Sequence, residues 1–101
     1  MAAEPQYFGR DTIRVTGVML ACWNVAFQDW SNGADPVVAQ RRLQNFTVGF
    51  AEENGEVTIW LIADREKSEV GLHGGQSKNG IDIKYRVRTD KFKIVEKSYF
   101  K

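Results

Sequence analysis

The sequence predicts an α+β fold: one long N-terminal helix packed on a four-stranded antiparallel sheet made of two hairpins. Three observations predict it. From Thr12 to about Trp30, apolar residues recur at helical spacing. Asn54-Gly55 separates two runs that alternate apolar and polar, a strong local hairpin signal. A second alternating stretch runs from Ile81 to Phe100 with its polar break at Thr89-Asp90.

A chain of 101 residues fits one domain, spanning 1–101, at the usual size of roughly 100–150 residues. Three Trp, three Tyr and six Phe are more aromatics than a disordered chain carries. No apolar run approaches the ~20 residues of a membrane helix; the longest, Val15 to Trp30, is interrupted by Asn24 and Gln28. One cysteine excludes an internal disulfide, and with a single histidine no standard His/Cys zinc site is expected. No cofactor motif is present. A net charge of +1 does not suit nucleic acid or acidic lipid, so neither is expected as a partner.

The opening Met1-Ala-Ala-Glu-Pro has no positive n-region and no apolar h-region, so it does not read as a signal peptide. The same small-residue start also fits the mature end of an exported protein. Both compartments, cytoplasmic and periplasmic or secreted, stay open.

Asp11 reads as the N-cap of the helix and Asn32-Gly33 as its stop. Ile13, Leu20, Trp23, Phe27 and Trp30 fall on one side, beside Met19 and Ala26. Arg14, Gly17, Ala21, Asn24 and Gln28 form the opposite stripe, flanked by Val18, Cys22 and Val25. The apolar arc is wider than one sheet covers, and Gly17 and Ala21 would admit a close neighbour. A homodimer or a helix-covering partner is therefore expected. Asp35-Pro36 starts a second, short helix to about Arg42, with Asp as cap and Pro in the first turn.

The Asn54-Gly55 turn pairs Glu53 with Glu56, Phe50 with Ile59, Gly49 with Trp60 and Val48 with Leu61. One face then collects Phe46, Val48, Phe50, Val57, Ile59, Leu61 and Ala63 as core. The other is small and polar except for Trp60 and Ile62. In the second hairpin, a turn at Thr89-Asp90 pairs Val87 with Phe92, Tyr85 with Ile94, Arg88 with Lys91 and Arg86 with Lys93. This register places Glu96 on the apolar face, near the rim or beyond a bulge. Between the hairpins, Arg65 to Gly80 is a long glycine-rich loop that Val70 and Leu72 would pin.

The helix with Trp23 and Trp30, the strand Glu56–Asp64, the Gly74-Gly75 loop and the closing segments Ile83-Lys84-Tyr85 and Lys93-Ile94-Val95 resemble the cystatin-like and small NTF2-like superfamily. The resemblance covers most of the chain and is architectural. The cystatin inhibitor motif is Gln-x-Val-x-Gly at a hairpin tip. Here Asn45-Phe46-Thr47-Val48-Gly49 lacks the Gln and lies in a strand, so the resemblance does not imply cysteine-protease inhibition. Small bacterial members include toxin-neutralising immunity proteins, and that use is what the resemblance implies.

Charge is unevenly placed. Residues 80–101 carry seven Lys/Arg and three Asp/Glu, net +4, and the rest of the chain is net −3. The register puts Lys84, Arg86, Arg88, Lys91, Lys93 and Lys97 on one outward face. Lysines on an edge strand protect against aggregation. Arginines on a strand suit an interface with an acidic partner better. Trp60 and Ile62 add the apolar element of a hot spot, and Trp60 also fills the gap above Gly49. The expected function is a non-enzymatic protein-binding domain of immunity or inhibitor type. Its expected partner-binding residues are Trp60, Ile62, Lys84, Arg86, Arg88, Lys91 and Lys93.

The alternative is a small-ligand pocket protein or minor NTF2-like enzyme. Its pocket would lie between helix and sheet, lined by Trp23, Phe27, Trp30 and Tyr85, with Glu96 as its one ionisable candidate. Other motifs carry less. Cys22 and His73 are the only potential nucleophile and base, and a mid-helix cysteine is usually a packing residue. His73-Gly74-Gly75 has the makings of an anion nest. Glu52, Glu53 and Glu56 read as a solvated turn rather than a calcium site. Asn45-Phe46-Thr47 is formally a glycosylation sequon with a core residue at its centre.

Overall fold

The computed structural model describes residues 8–32, 43–64, 76–77 and 80–100. The helix α1 spans Gly17–Ser31. It starts later than Asp11 predicted. Residues 12–16 include four β-branched side chains, which lose rotamer freedom in a helix. Thr16 caps instead, its hydroxyl accepting from the Met19 N–H at 3.1 Å. Asn32 ends the helix as expected, its N–H bonded to the Gln28 carbonyl.

The buried stripe is Cys22, Ala26 and Trp30, four residues apart, with Met19, Trp23 and Phe27 partly buried beside it. Two expected core residues lie outside: Ile13 is 88% and Leu20 53% exposed. Ile13 precedes the helix. Leu20 lies about 160° around it from Cys22. The small Cys22 and Ala26 let the helix settle on the sheet, so the contact centres on them.

Strand β1 (Phe46–Glu53) follows a short 3-10 turn, Leu43–Asn45, and pairs with β2 (Glu56–Ala63). Every predicted pair of this hairpin is present. Asn54 and Gly55 both take positive φ, 53° and 78°, as a type I′ turn requires. A two-residue strand β3 (Gln76–Ser77) pairs antiparallel with the start of β4 (Gly80–Arg88). Gly80, at φ 142°, passes so close to Phe46 that a Cβ would stand 2.7 Å from its ring. β2 also pairs with β4, and β4 with β5 (Lys93–Phe100), so the main sheet runs β1-β2-β4-β5. The α+β architecture is the predicted one: one helix on an open four-stranded antiparallel sheet. The short helix expected at 36–42, the Met1–Tyr7 lead-in, and His73, Gly74, Gly75, Val70 and Leu72 lie outside the described residues.

The second hairpin departs from the predicted register. Its turn has four residues, Thr89 to Phe92; Arg88 faces Lys93 and Val87 faces Ile94. Val95 is then an extra residue, and Arg86 faces Glu96. Two contacts hold this wider turn. The Arg88 guanidinium grips Asp90 at 3.1 and 2.7 Å, and the Thr89 N–H and hydroxyl both donate to the Gly55 carbonyl of the neighbouring turn. The bulge restores the alternation without placing Glu96 beneath the helix.

The inner face of the sheet packs on α1 through Val57, Ile59, Leu61, Ile83, Tyr85 and Val87, all fully buried. Each such side chain contributes about 1.5–3 kcal/mol relative to exposure. Asp82, next to Ile83 on β4, is also buried, and its carboxylate accepts from the Ala63 N–H at 2.9 Å.

Candidate functional site

The outer face of the sheet gathers most of the predicted binding residues. Side chains alternate along a strand, so Thr58, Trp60 and Ile62 of β2 share this face with Lys84, Arg86 and Arg88 of β4. Trp60 is centrally placed, between Gly49 on β1 and Lys84 on β4. A Cβ on Gly49 would lie 3.6 Å from the indole, so the ring rests against the strand there. Trp60 and Ile62 are both half-buried.

The basic residues form an ion-pair network rather than a like-charge ladder. Glu96, turned outward by the bulge, is 2.9 Å from Arg86 Nε and 3.2 Å from Lys84 Nζ. The Ser98 hydroxyl donates to the same carboxylate at 2.9 Å. Glu56 lies 3.5 Å from Arg86 on the other side. The Ser98 hydroxyl and the Lys84 ammonium, with the Arg86 charge, hold the Glu96 carboxyl below its usual range. Arg88 is tied to Asp90. The predicted pairings of Arg86 with Lys93 and of Arg88 with Lys91 are therefore corrected: the wider turn and the bulge together exchange a cation for a carboxylate opposite Arg86. Lys91, in the turn, and Lys93, opposite Arg88, are exposed with no carboxylate partner among the described residues.

Lys97 is also misplaced by the sequence reading. It faces Tyr85 on the helix side, where its ammonium reaches Asp29 of α1 at 2.7 Å. The Tyr85 hydroxyl donates to the same Asp29 oxygen at 2.8 Å. Burial alone would raise the Asp29 carboxyl, but the hydrogen bonds from Lys97 and Tyr85 and the Lys97 charge outweigh it and hold it low. The Lys97 ammonium also lies 5.7 Å from the Tyr85 ring centre and 5.5 Å from that of Tyr99. The sequence carried a signal for this cluster: Asp29 lies seven residues after Cys22, on the same helix face.

The four residues proposed to line an inner pocket form a packed group. Trp30 and Tyr85 are buried, and Trp23 and Phe27 are half-buried. Ring centres lie 5.4 Å apart for Trp23–Phe27, 6.0 Å for Phe27–Trp30 and 5.3 Å for Trp30–Phe46. These are ordinary aromatic packing distances.

Cys22 is fully buried, and burial with the Glu52 charge pushes its thiol up, which is unsuited to a nucleophile. Among the described residues no group of three His, Cys, Asp or Glu is placed to hold a metal ion. No helix there is long and apolar enough to cross a membrane. In the sequon, the Thr47 hydroxyl donates to Asp64 at 2.8 Å and Phe46 is buried. Compared with protein families, with characterised proteins and with solved structures, the chain finds no match.

Proposed function

We propose that this chain is a non-enzymatic protein-binding domain of immunity or inhibitor type, docking through the outer face of its sheet. One observation carries the reading: Trp60 rests on Gly49 in the middle of that face, bordered by the ion pairs of Lys84, Arg86, Glu56 and Glu96. A large aromatic within a polar border is the usual composition of an interface hot spot. Lys91 and Lys93, exposed at the adjoining turn, favour a partner with an acidic surface. The architectural resemblance to the cystatin-like and small NTF2-like superfamily, whose small bacterial members include immunity proteins, supports this use.

Affinity capture from source cells tests the reading, with wild-type and Trp60→Ala baits. A protein retained by the first and lost by the second supports it. Equal retention by both overturns the role of this face.

A further inference from the structure

On the outer face the β-bulge has a specific consequence. Val95 is the extra residue, and it turns the next side chain, Glu96, from the helix side to the outer side. Bulges that re-aim a side chain concentrate beside functional sites. Here the re-aimed group is a carboxylate. It bridges Lys84 and Arg86 and is oriented by Ser98. Lys84 is also the cross-strand neighbour of Trp60. The cations nearest the proposed hot spot are therefore already matched by an internal anion.

We infer that Glu96 is a built-in stand-in for a partner's carboxylate and sets the specificity of the outer face. The inference rests on the docking face proposed above. In the unbound protein Glu96 satisfies Lys84 and Arg86. An acidic side chain of the partner takes its place only by displacing it. A partner offering charge alone gains little, because one carboxylate merely replaces another. A partner that also covers Trp60 has apolar contact to add, and the exchange becomes favourable. Glu96 thus acts against generic polyanions while leaving the face open to one shaped, acidic protein surface.

Fluorescent poly-L-glutamate serves as the probe, a carboxylate polymer with no group to cover Trp60. Its dissociation constant is measured by anisotropy for wild type, Glu96→Gln, Ser98→Ala and Asp11→Asn. Asp11→Asn makes the same charge change as Glu96→Gln, at an exposed residue outside the sheet. Glu96→Gln should bind roughly two- to fivefold more tightly than wild type, the range that one surface ion pair spans. Asp11→Asn should show a clearly smaller gain. Ser98→Ala, which alters no charge and only frees the carboxylate, should fall between wild type and Glu96→Gln. Equal gains for Glu96→Gln and Asp11→Asn would overturn the inference, because net charge alone would then explain both. If Glu96→Gln fails to fold, as circular dichroism would reveal, Ser98→Ala decides: affinity unchanged from wild type overturns the inference. Failure of the docking face is read separately, by the Trp60→Ala bait, which involves neither Glu96 nor the probe.

Discussion

Tyr85 crosses from the sheet to the helix and donates its hydroxyl hydrogen to Asp29, 2.8 Å away. Lys97 completes the contact from the next strand, 2.7 Å from the same oxygen. A polar latch thus ties α1 to β4 and β5 at the rim of an otherwise apolar layer. Tyr85→Phe should cost about 1 kcal/mol, low for a hydrogen bond to a charged group because the Asp29 side chain is 40% exposed.

The latch also sets a pH dependence. The Asp29 carboxyl titrates lower in the folded protein than in the unfolded chain. Its contribution is present above the unfolded value of about 4 and is lost as pH falls through the lower native value. Lys97 titrates higher when folded, so its contribution is present below the unfolded value of about 10.4 and is lost as pH rises through the native value. Both contributions persist across neutral pH. Asp29→Asn should therefore flatten part of the acid limb in melting temperatures taken from neutral pH to pH 2. An unchanged acid limb would show that the latch is not coupled to folding.

How legible these features were in the sequence differs between the two hairpins. In the first, Asn54-Gly55 dictates both turn type and register, and unbroken alternation from Phe46 to Ala63 leaves no competing pairing. In the second, the adjacent apolar pair Ile94-Val95 breaks the period of two. That break is the trace of the bulge, yet its meaning depends on a turn held by Thr89 and Gly55, residues far apart in sequence. The error spread to the candidate site, because the two residues added to the turn and the one bulged residue together decide whether Lys93 or Glu96 faces Arg86. The helix start was misread for a related reason. Asp11 satisfies a local capping rule, but the β-branched run after it disfavours helix and leaves Thr16 as the cap.

Phe92 closes the second turn at φ 49°, a left-handed conformation that side chains rarely adopt, while remaining 41% exposed. Phe92→Gly should therefore stabilise the fold by about 1 kcal/mol. Gly80→Ala should act oppositely, costing at least ~2 kcal/mol, because its φ is 142° and its new Cβ would meet the Phe46 ring. Urea unfolding of both variants measures this. A destabilised Phe92→Gly would mean that the ring makes contacts that outweigh its strained backbone.

Trp60 and Trp30 separate binding from folding. Trp30→Ala removes a ring that is 4% exposed and set edge-on against Phe46, and should cost about 3–5 kcal/mol of stability. Trp60→Ala should cost less stability but at least ~2 kcal/mol of affinity for a captured partner. Equal stability losses for the two variants would place Trp60 in the structural core.

Leu20 remains 53% exposed on α1, and Ile13, four residues before the helix, is 88% exposed. Apolar patches beyond a few hundred Å² are uncommon on monomers. Light scattering at tens of micromolar should give a dimer mass, about twice 11.5 kDa, and Leu20→Glu should return it to the monomer. A wild-type monomer mass removes the helix-mediated dimer.

Charge reversal at Arg86 distinguishes the observed register from the one with a two-residue turn at Thr89-Asp90. In the register with a two-residue turn at Thr89-Asp90 Arg86 faces Lys93, so Arg86→Glu would replace a repulsion with an attraction and raise the melting temperature. In the structure Arg86 lies between Glu56 and Glu96, at 3.5 and 2.9 Å, so the same change brings three carboxylates together. Arg86→Glu should therefore melt below Arg86→Gln, and Arg86→Gln below wild type. The gap between the two variants should shrink from 0.1 M to 1 M salt, as the Debye length falls from ~10 to ~3 Å. The double variant Arg86→Glu, Glu96→Arg should recover much of the loss, because it restores an opposite-charge pair across β4 and β5. A rise in melting temperature for Arg86→Glu alone would mean that Glu96 does not face it, and the wider turn with its bulge at Val95 would then be wrong.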